Sequence, residues 1–147
     1  MVLLFRMRSG SHLYGTNTAA SDEDWFEVYD RLPGWKQSAQ KIFGDQDVTR
    51  VGLGEFVRQA EKGVPQALEA MFAPDDWPEV DLISAYRRSW RPSTGAVVGT
   101  YRRTIKAFAL SGNPKQERHA QRLQYQLDQM LRYGRFNPRD TTWLDGV

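Results

Sequence analysis

The run Gly10-Ser11-His12-Leu13-Tyr14-Gly15-Thr16, followed by Ser21-Asp22-Glu23-Asp24 and then Trp25-Phe26-Glu27-Val28-Tyr29, decides how this chain begins to fold. The first part is a turn in which small residues end one element and open a helix. The last part is a β-prone run with acids at its head. Upstream, Val2 to Arg8 is rich in apolar residues and stops at Ser9-Gly10-Ser11, so it reads as the first strand. A strand and not a signal peptide is expected there, because Arg6 and Arg8 cut the apolar run short.

Downstream, Gly34 to Gly44 has weak periodicity and reads as a loop or ragged strand, and Asp47-Val48-Thr49-Arg50-Val51 as a short strand. Leu53, Phe56, Val57 and Ala60 then recur at helical spacing up to Lys62-Gly63, and Pro65 opens a second helix through Phe72. After Pro74 no further run reads as a strand. Three helices are predicted instead: Val80 to Trp90, Gly95 to Leu110 and Lys115 to Tyr133. Val97, Val98, Tyr101, Ile105 and Phe108 form the stripe of the second, and Ala120, Leu123, Leu127, Met130 and Leu131 that of the third. The expectation is an α+β protein of one domain over residues 1–147, with a small mixed sheet and two helices in 1–74 and a helical extension in 75–147.

The chain has 147 residues, no Cys and only two His, so a disulfide scaffold, a thiolate zinc site, a Cys nucleophile and a His-built metal centre are all excluded. No apolar run approaches the ~20 residues of a membrane span. No membrane partner and a cytoplasmic location are therefore expected. The net charge of +2 conceals a segregation. Residues 1–73 hold 8 basic and 10 acidic side chains, whereas the 12 basic residues between Leu82 and Arg139 face only Glu117 and Asp128. Arg87, Arg88, Arg102, Arg103 and Lys106 could extend into an RNA-binding track, since basic side chains bind phosphates without sequence preference. A scattered solvated face is the plainer account of those five.

Residues i and i+2 on a strand share a face, so Asp22 and Asp24 can project two carboxylates side by side, an arrangement that is costly unless a divalent cation lies between them. Oxygen ligands suit magnesium or manganese. Glu23 falls on the other face, and Glu27 is expected on the solvent side of its strand. Asp47 is a candidate third acid; Asp45 has the same parity and is its competitor. His12 is read as a surface or packing residue, and Tyr14 as a packing residue in preference to nucleobase stacking.

Gly10-Ser11 with Ser21-Asp22-Glu23-Asp24 resembles the DNA polymerase beta-type nucleotidyltransferase superfamily. More narrowly it looks like the predicted nucleotidyltransferases associated with RNA repair, which also occur in bacteriophages. Leu53-Gly54-Glu55-Phe56, Gly63-Val64-Pro65, Leu68-Glu69-Ala70-Met71-Phe72 and Lys115-x-x-Arg118-His119-Ala120-x-Arg122 are similar to later stretches of that branch, with Val64 where an Asn is usual. The resemblance implies transfer of a nucleoside monophosphate from a nucleoside triphosphate to a hydroxyl. Asp22, Asp24 and Asp47 would be the catalytic metal ligands for magnesium or manganese. Gly10 and Ser11, together with Lys115, Arg118, His119 and Arg122, would bind the nucleotide. A chain this short has little room for template reading, so untemplated transfer to an RNA acceptor is expected. The alternatives are a noncatalytic nucleotide- or RNA-binding module and a protein-modifying nucleotidyltransferase of toxin/antitoxin type.

Overall fold

A computed structural model describes residues 1–14 and 23–144. Strand β1 (Leu3–Ser9) passes into the five-residue helix α1 (Gly10–Tyr14), and β2 (Glu23–Tyr29) returns antiparallel to β1 with Ser9 paired to Asp24. After a 3-10 turn at Pro33–Trp35 the chain runs through the hairpin β3 (Ser38–Phe43) and β4 (Gln46–Gly52). Helices α2 (Leu53–Glu61) and α3 (Pro65–Met71) follow. The second part comprises β5 (Val80–Asp81), α4 (Ser84–Ser89), α5 (Thr94–Ala109), α6 (Pro114–Tyr133) and a closing 3-10 turn at Thr142–Leu144.

The five strands form one mixed sheet in the order β3-β4-β2-β1-β5. Among the described residues only β2 and β4 pair in parallel. The fold is thus α+β with a helical C-terminal half, as expected.

Of the two readings left open for residues 34–44, a loop or a ragged strand, the strand holds over 38–43, because pairing with β4 supplies the hydrogen bonds that their weak periodicity could not announce. One segment differs from the expectation. Val80–Trp90 is not one helix: Val80 and Asp81 add an edge strand to Arg6 and Phe5, and the helix starts only at Ser84. The cause lies in Arg87, which the sequence suggested as a solvated cation but which is fully buried. Its guanidinium donates to the carbonyls of Ala70, Met71 and Ala73 at the end of α3, and it pairs with Asp81, pinning the edge strand.

Strand alternation gives the sheet two different faces. On one, Phe5, Met7, Phe26, Val28 and Val51 join Phe56 of α2 and Leu68 and Met71 of α3 in a core that also holds Tyr101, Leu123 and Leu127 of α5 and α6. Members of this single cluster therefore come from both parts of the chain. Phe56 packs against Phe5 and Phe26, with ring centroids 6.5 and 5.9 Å apart. On the other face lies Glu27, expected to be solvated yet buried. Its carboxylate accepts from Arg6 at 2.5 Å, Arg50 at 2.9 Å and the Tyr29 hydroxyl at 2.9 Å, so three donors replace the water it lost. On α6, Leu131, expected in the apolar stripe, is exposed, whereas Ala120, Leu123, Leu127 and Met130 are buried.

The α5–α6 pair is docked onto this layer at Gly63, whose φ is +80°. A Cβ there would come within 2.6 Å of the Val97 Cα, and the neighbouring Lys62 carbonyl accepts from the Thr100 hydroxyl at 2.6 Å. Only a residue without a side chain lets the α2–α3 turn meet α5 so closely. Among the described residues no helix is long and apolar enough to cross a membrane.

Candidate functional site

A cavity of about 560 Å³ opens between the end of the sheet and the α5–α6 pair. Its sheet wall carries Met7, Ser9, Gly10, Asp24, Gln40, Asp47 and Thr49. Its helical wall carries Leu13, Tyr14, Val64, Pro65, Gln66, Glu69, Thr104, Phe108, Arg122 and Leu123.

Asp24 and Asp47 meet because β2 and β4 are parallel and in register, with Asp24 opposite Asp47. Adjacent strands lie about 4.8 Å apart, so two carboxylates at one register position on one face are neighbours. The parallel pairing that produces this juxtaposition is a long-range event, with the β3 hairpin strand inserted in sequence between the two. Asp47 is further held by Gln40 of β3, whose amide donates to both carboxylate oxygens, at 2.8 and 3.0 Å. A carboxylate has about four acceptor sites, so further ligands can still approach Asp47. Asp45 is exposed in the hairpin turn and does not line the cavity. Asp22, the first acid of the expected set, lies outside the described residues.

Gly10 closes this end of the cavity. It has φ +61°, and a Cβ on it would meet the Asp24 Oδ2 at 2.6 Å. The glycine is thus required for the strand-to-helix turn to pass directly beside the acid. Ser11 is one step further on, partly exposed and off the cavity wall. His12 is also off the wall, with a buried Nε2 that has no partner. Glu23, one residue from Asp24, turns to the opposite face and pairs with Gln46 and Arg8.

Of the four α6 residues expected to bind nucleotide, only Arg122 reaches the wall. It is buried, its Cζ lies 4.2 Å from the centre of the Tyr14 ring, and its Nη1 donates to His119 Nδ1 at 2.6 Å. Because a guanidinium can only donate, His119 must be neutral with its proton on Nε2. Burial, then the charges of Arg122 and Lys115, lower the His119 pKa to about 4, in keeping with that requirement. Lys115 and Arg118 are exposed and off the wall.

The cavity also holds polar residues that were not singled out as site residues in the sequence: Gln40, Gln66, Glu69 and Thr104. Glu69 had a visible signal, since it is the one charged residue in the buried run Ala67-Leu68-Glu69-Ala70-Met71. Burial pushes its carboxyl pKa up against the opposing charge of Arg122. Tyr14, read as a packing residue, is buried as well, but it forms part of the wall.

Among the described residues no group of three or more His, Asp or Glu is placed to hold a metal ion. The two facing carboxylates nevertheless suit magnesium or manganese, which take one or two carboxylates and complete their shell with water and substrate phosphates. Asp24 and Asp47 would hold such an ion. Comparison with protein-family models and with curated proteins gives no match.

Proposed function

We propose that this protein transfers a nucleoside monophosphate from a nucleoside triphosphate to a hydroxyl acceptor on RNA, without a template and with a divalent cation. The observation that carries the reading is the pairing of Asp24 with Asp47 at one register position on the wall of a cavity whose opposite wall presents the buried guanidinium of Arg122. Like charges brought together on one wall and a cation on the other suit a ligand that is itself polyanionic and arrives with a metal.

In this reading the triphosphate lies between the Gly10 turn and Arg122. Asp24 and Asp47 would hold magnesium or manganese, which would neutralise phosphate charge and make the attacking hydroxyl more acidic. Asp47 receives the hydroxyl proton as the acceptor oxygen bonds to the α-phosphorus. The bond from that phosphorus to the pyrophosphate oxygen breaks, and pyrophosphate leaves with the electron pair. Arg122 supplies fixed positive charge to the leaving phosphates. The two helices that wall the cavity also carry exposed Arg102, Arg103, Lys106, Lys115 and Arg118, which supports a phosphate-rich acceptor. Arg87 has no part in this, and Arg88 is paired with Asp75.

A noncatalytic binding module is favoured by one observation, the Gln40 amide on both oxygens of Asp47. Incubation with α-labelled nucleoside triphosphates and a cell extract, followed by separation of RNA from protein, decides the matter. The transferase reading requires magnesium-dependent label in RNA that disappears in Asp24→Asn and Asp47→Asn. Label in protein would replace the RNA acceptor with a protein one. Absence of label, with thermal stabilisation by RNA that ignores magnesium, would identify the binding module.

A further inference from the structure

Arg122 is the innermost member of a longer row on α6. Arg118 and Lys115 precede it by four and seven residues, spacings that keep helical side chains on one face, so all three fall within a sector of about 60°. Only Arg122 reaches the cavity wall. Arg118 and Lys115 are exposed and carry its face outward to the start of the helix, roughly 10 Å along the axis.

The two outer cations keep their charge. Among the described residues, neither Lys115 nor Arg118 forms an ion pair. Helix α5 has no acid, and the two acids of α6, Glu117 and Asp128, lie at least about 120° around the helix from Arg122. A row of uncompensated cations leading to a cavity is complementary to a chain of phosphates, and at about 3.4 Å per phosphate of a stacked strand it spans about three of them.

The row also meets an aromatic ring. Phe108 of α5 is half-buried and lines the cavity, and its ring centroid lies 5.6 Å from that of His119, the residue that follows Arg118. Single-stranded nucleic acid is held by such pairings, with phosphates on the cations and bases on the rings. A cavity of about 560 Å³ has the size of a small-molecule site, so it admits a nucleotide and the end of one strand but not a duplex.

We infer that α6 guides the end of a single-stranded RNA into the cavity, with Lys115 and Arg118 on the phosphates of its last nucleotides and Phe108 against its terminal base. The inference rests on the RNA-acceptor reading and adds the residues that hold the acceptor, separate from those that hold the triphosphate.

The test is fluorescence anisotropy of a short labelled oligouridylate with the whole protein at several salt concentrations. The melting temperature of each variant is measured alongside, with and without nucleoside triphosphate and magnesium. Lys115→Ala/Arg118→Ala is expected to bind RNA about tenfold more weakly, and the slope of log affinity against log salt should shrink by about 1.4, the share of two phosphate contacts. Lys36→Ala/Lys41→Ala removes the same charge at exposed positions on and before β3, and screening should keep it within about twofold of the wild type. Phe108→Leu keeps an apolar side chain without the ring, and should bind about fivefold more weakly with the slope unchanged.

An unchanged slope in Lys115→Ala/Arg118→Ala, an equal loss in Lys36→Ala/Lys41→Ala, or unchanged affinity in Phe108→Leu overturns the guide while leaving the transferase reading intact. So does loss of the magnesium-dependent stabilisation by nucleoside triphosphate in Lys115→Ala/Arg118→Ala, which would return both residues to the nucleotide. Failure of the wild type itself to bind the oligonucleotide overturns the guide, and with it the RNA acceptor where the extract shows label in protein. Should Phe108→Leu fail to fold, the salt slope alone decides.

Discussion

The backbone of Gly10 and the carboxylate of Asp24 stand so close that a single added carbon on residue 10 would lie 2.6 Å from the Asp24 Oδ2. The turn and the acid are therefore one unit, built from the end of β1 and the start of β2, with Ser9 and Asp24 as register partners. Gly10→Ala must displace Asp24 and also place a side chain at φ +61°, which costs roughly 1 kcal/mol on its own. The expected outcome is a folded, slightly destabilised protein whose magnesium-dependent stabilisation by nucleoside triphosphate is lost. A thermal-shift titration reads this directly, and an unchanged magnesium response would show that Asp24 is not a cation ligand.

Gln40 competes for the oxygens of Asp47 that a cation would take. Gln40→Ala removes a solvent-exposed hydrogen bond on the cavity wall, and its effect on folding should stay within about 0.5 kcal/mol. The magnesium concentration that half-saturates the protein with nucleotide should fall. A rise would mean that Gln40 orients Asp47 for the cation instead of masking it.

Arg87 is purely architectural. Replacing it by Met strands the Asp81 carboxylate and leaves the carbonyls of Ala70, Met71 and Ala73 without their donor. Removing one partner of a buried pair costs about 3–5 kcal/mol. Urea denaturation of Arg87→Met should show a loss of that size, and a loss below about 1 kcal/mol would contradict the assigned role.

His119 and Glu69 give the fold opposite dependences on pH. The unfolded chain protonates a histidine near its ordinary 6.5, whereas folded His119 resists until about 4. Stability from this residue is present above 6.5 and declines as pH falls toward 4. Glu69 has a raised folded pKa, caused first by burial, so its contribution is present below the ordinary carboxyl value of 4.5 and declines as pH rises through the folded value. Urea midpoints measured between pH 4 and 8 should therefore lose their acid-side decline in His119→Gln. They should lose their decline at higher pH in Glu69→Gln. A His119→Gln profile that matches the wild type would show that the histidine is not held neutral.

Gly63 makes the closest backbone approach between the α2–α3 turn and α5, 2.6 Å from an added Cβ to the Val97 Cα. The contact is with backbone, so it cannot be relieved by a side-chain rotation. Gly63→Ala is expected to cost more than the ~1 kcal/mol of its left-handed conformation alone and to loosen the helical wall of the cavity. Hydrogen exchange in α5 should rise; unchanged exchange there would show that the wall does not depend on this turn.

The sequence by itself determined the elements whose signals are local. β1 ends at the Gly10 turn, α2 follows its apolar spacing, Pro65 starts α3, and α6 runs from Pro114 to a stop at Gly134. Periodicity and turn chemistry act within a few residues and can be read along the chain. The short β5 was not legible, because its hydrogen bonds come from β1, distant in sequence, and β3 stayed open between loop and strand, because its residues carry only weak periodicity. Burial of Glu27 and Arg87 was equally hidden, since a charged side chain enters the interior only where partners from other elements meet it. Asp24, Asp47 and Arg122 were visible as candidates, but the sequence left Asp45 beside Asp47 and Lys115 and Arg118 beside Arg122. Tertiary structure alone decided among them: the parallel register of β2 with β4 brings Asp47 opposite Asp24, and the docking of α6 turns Arg122 inward while Lys115 and Arg118 face solvent.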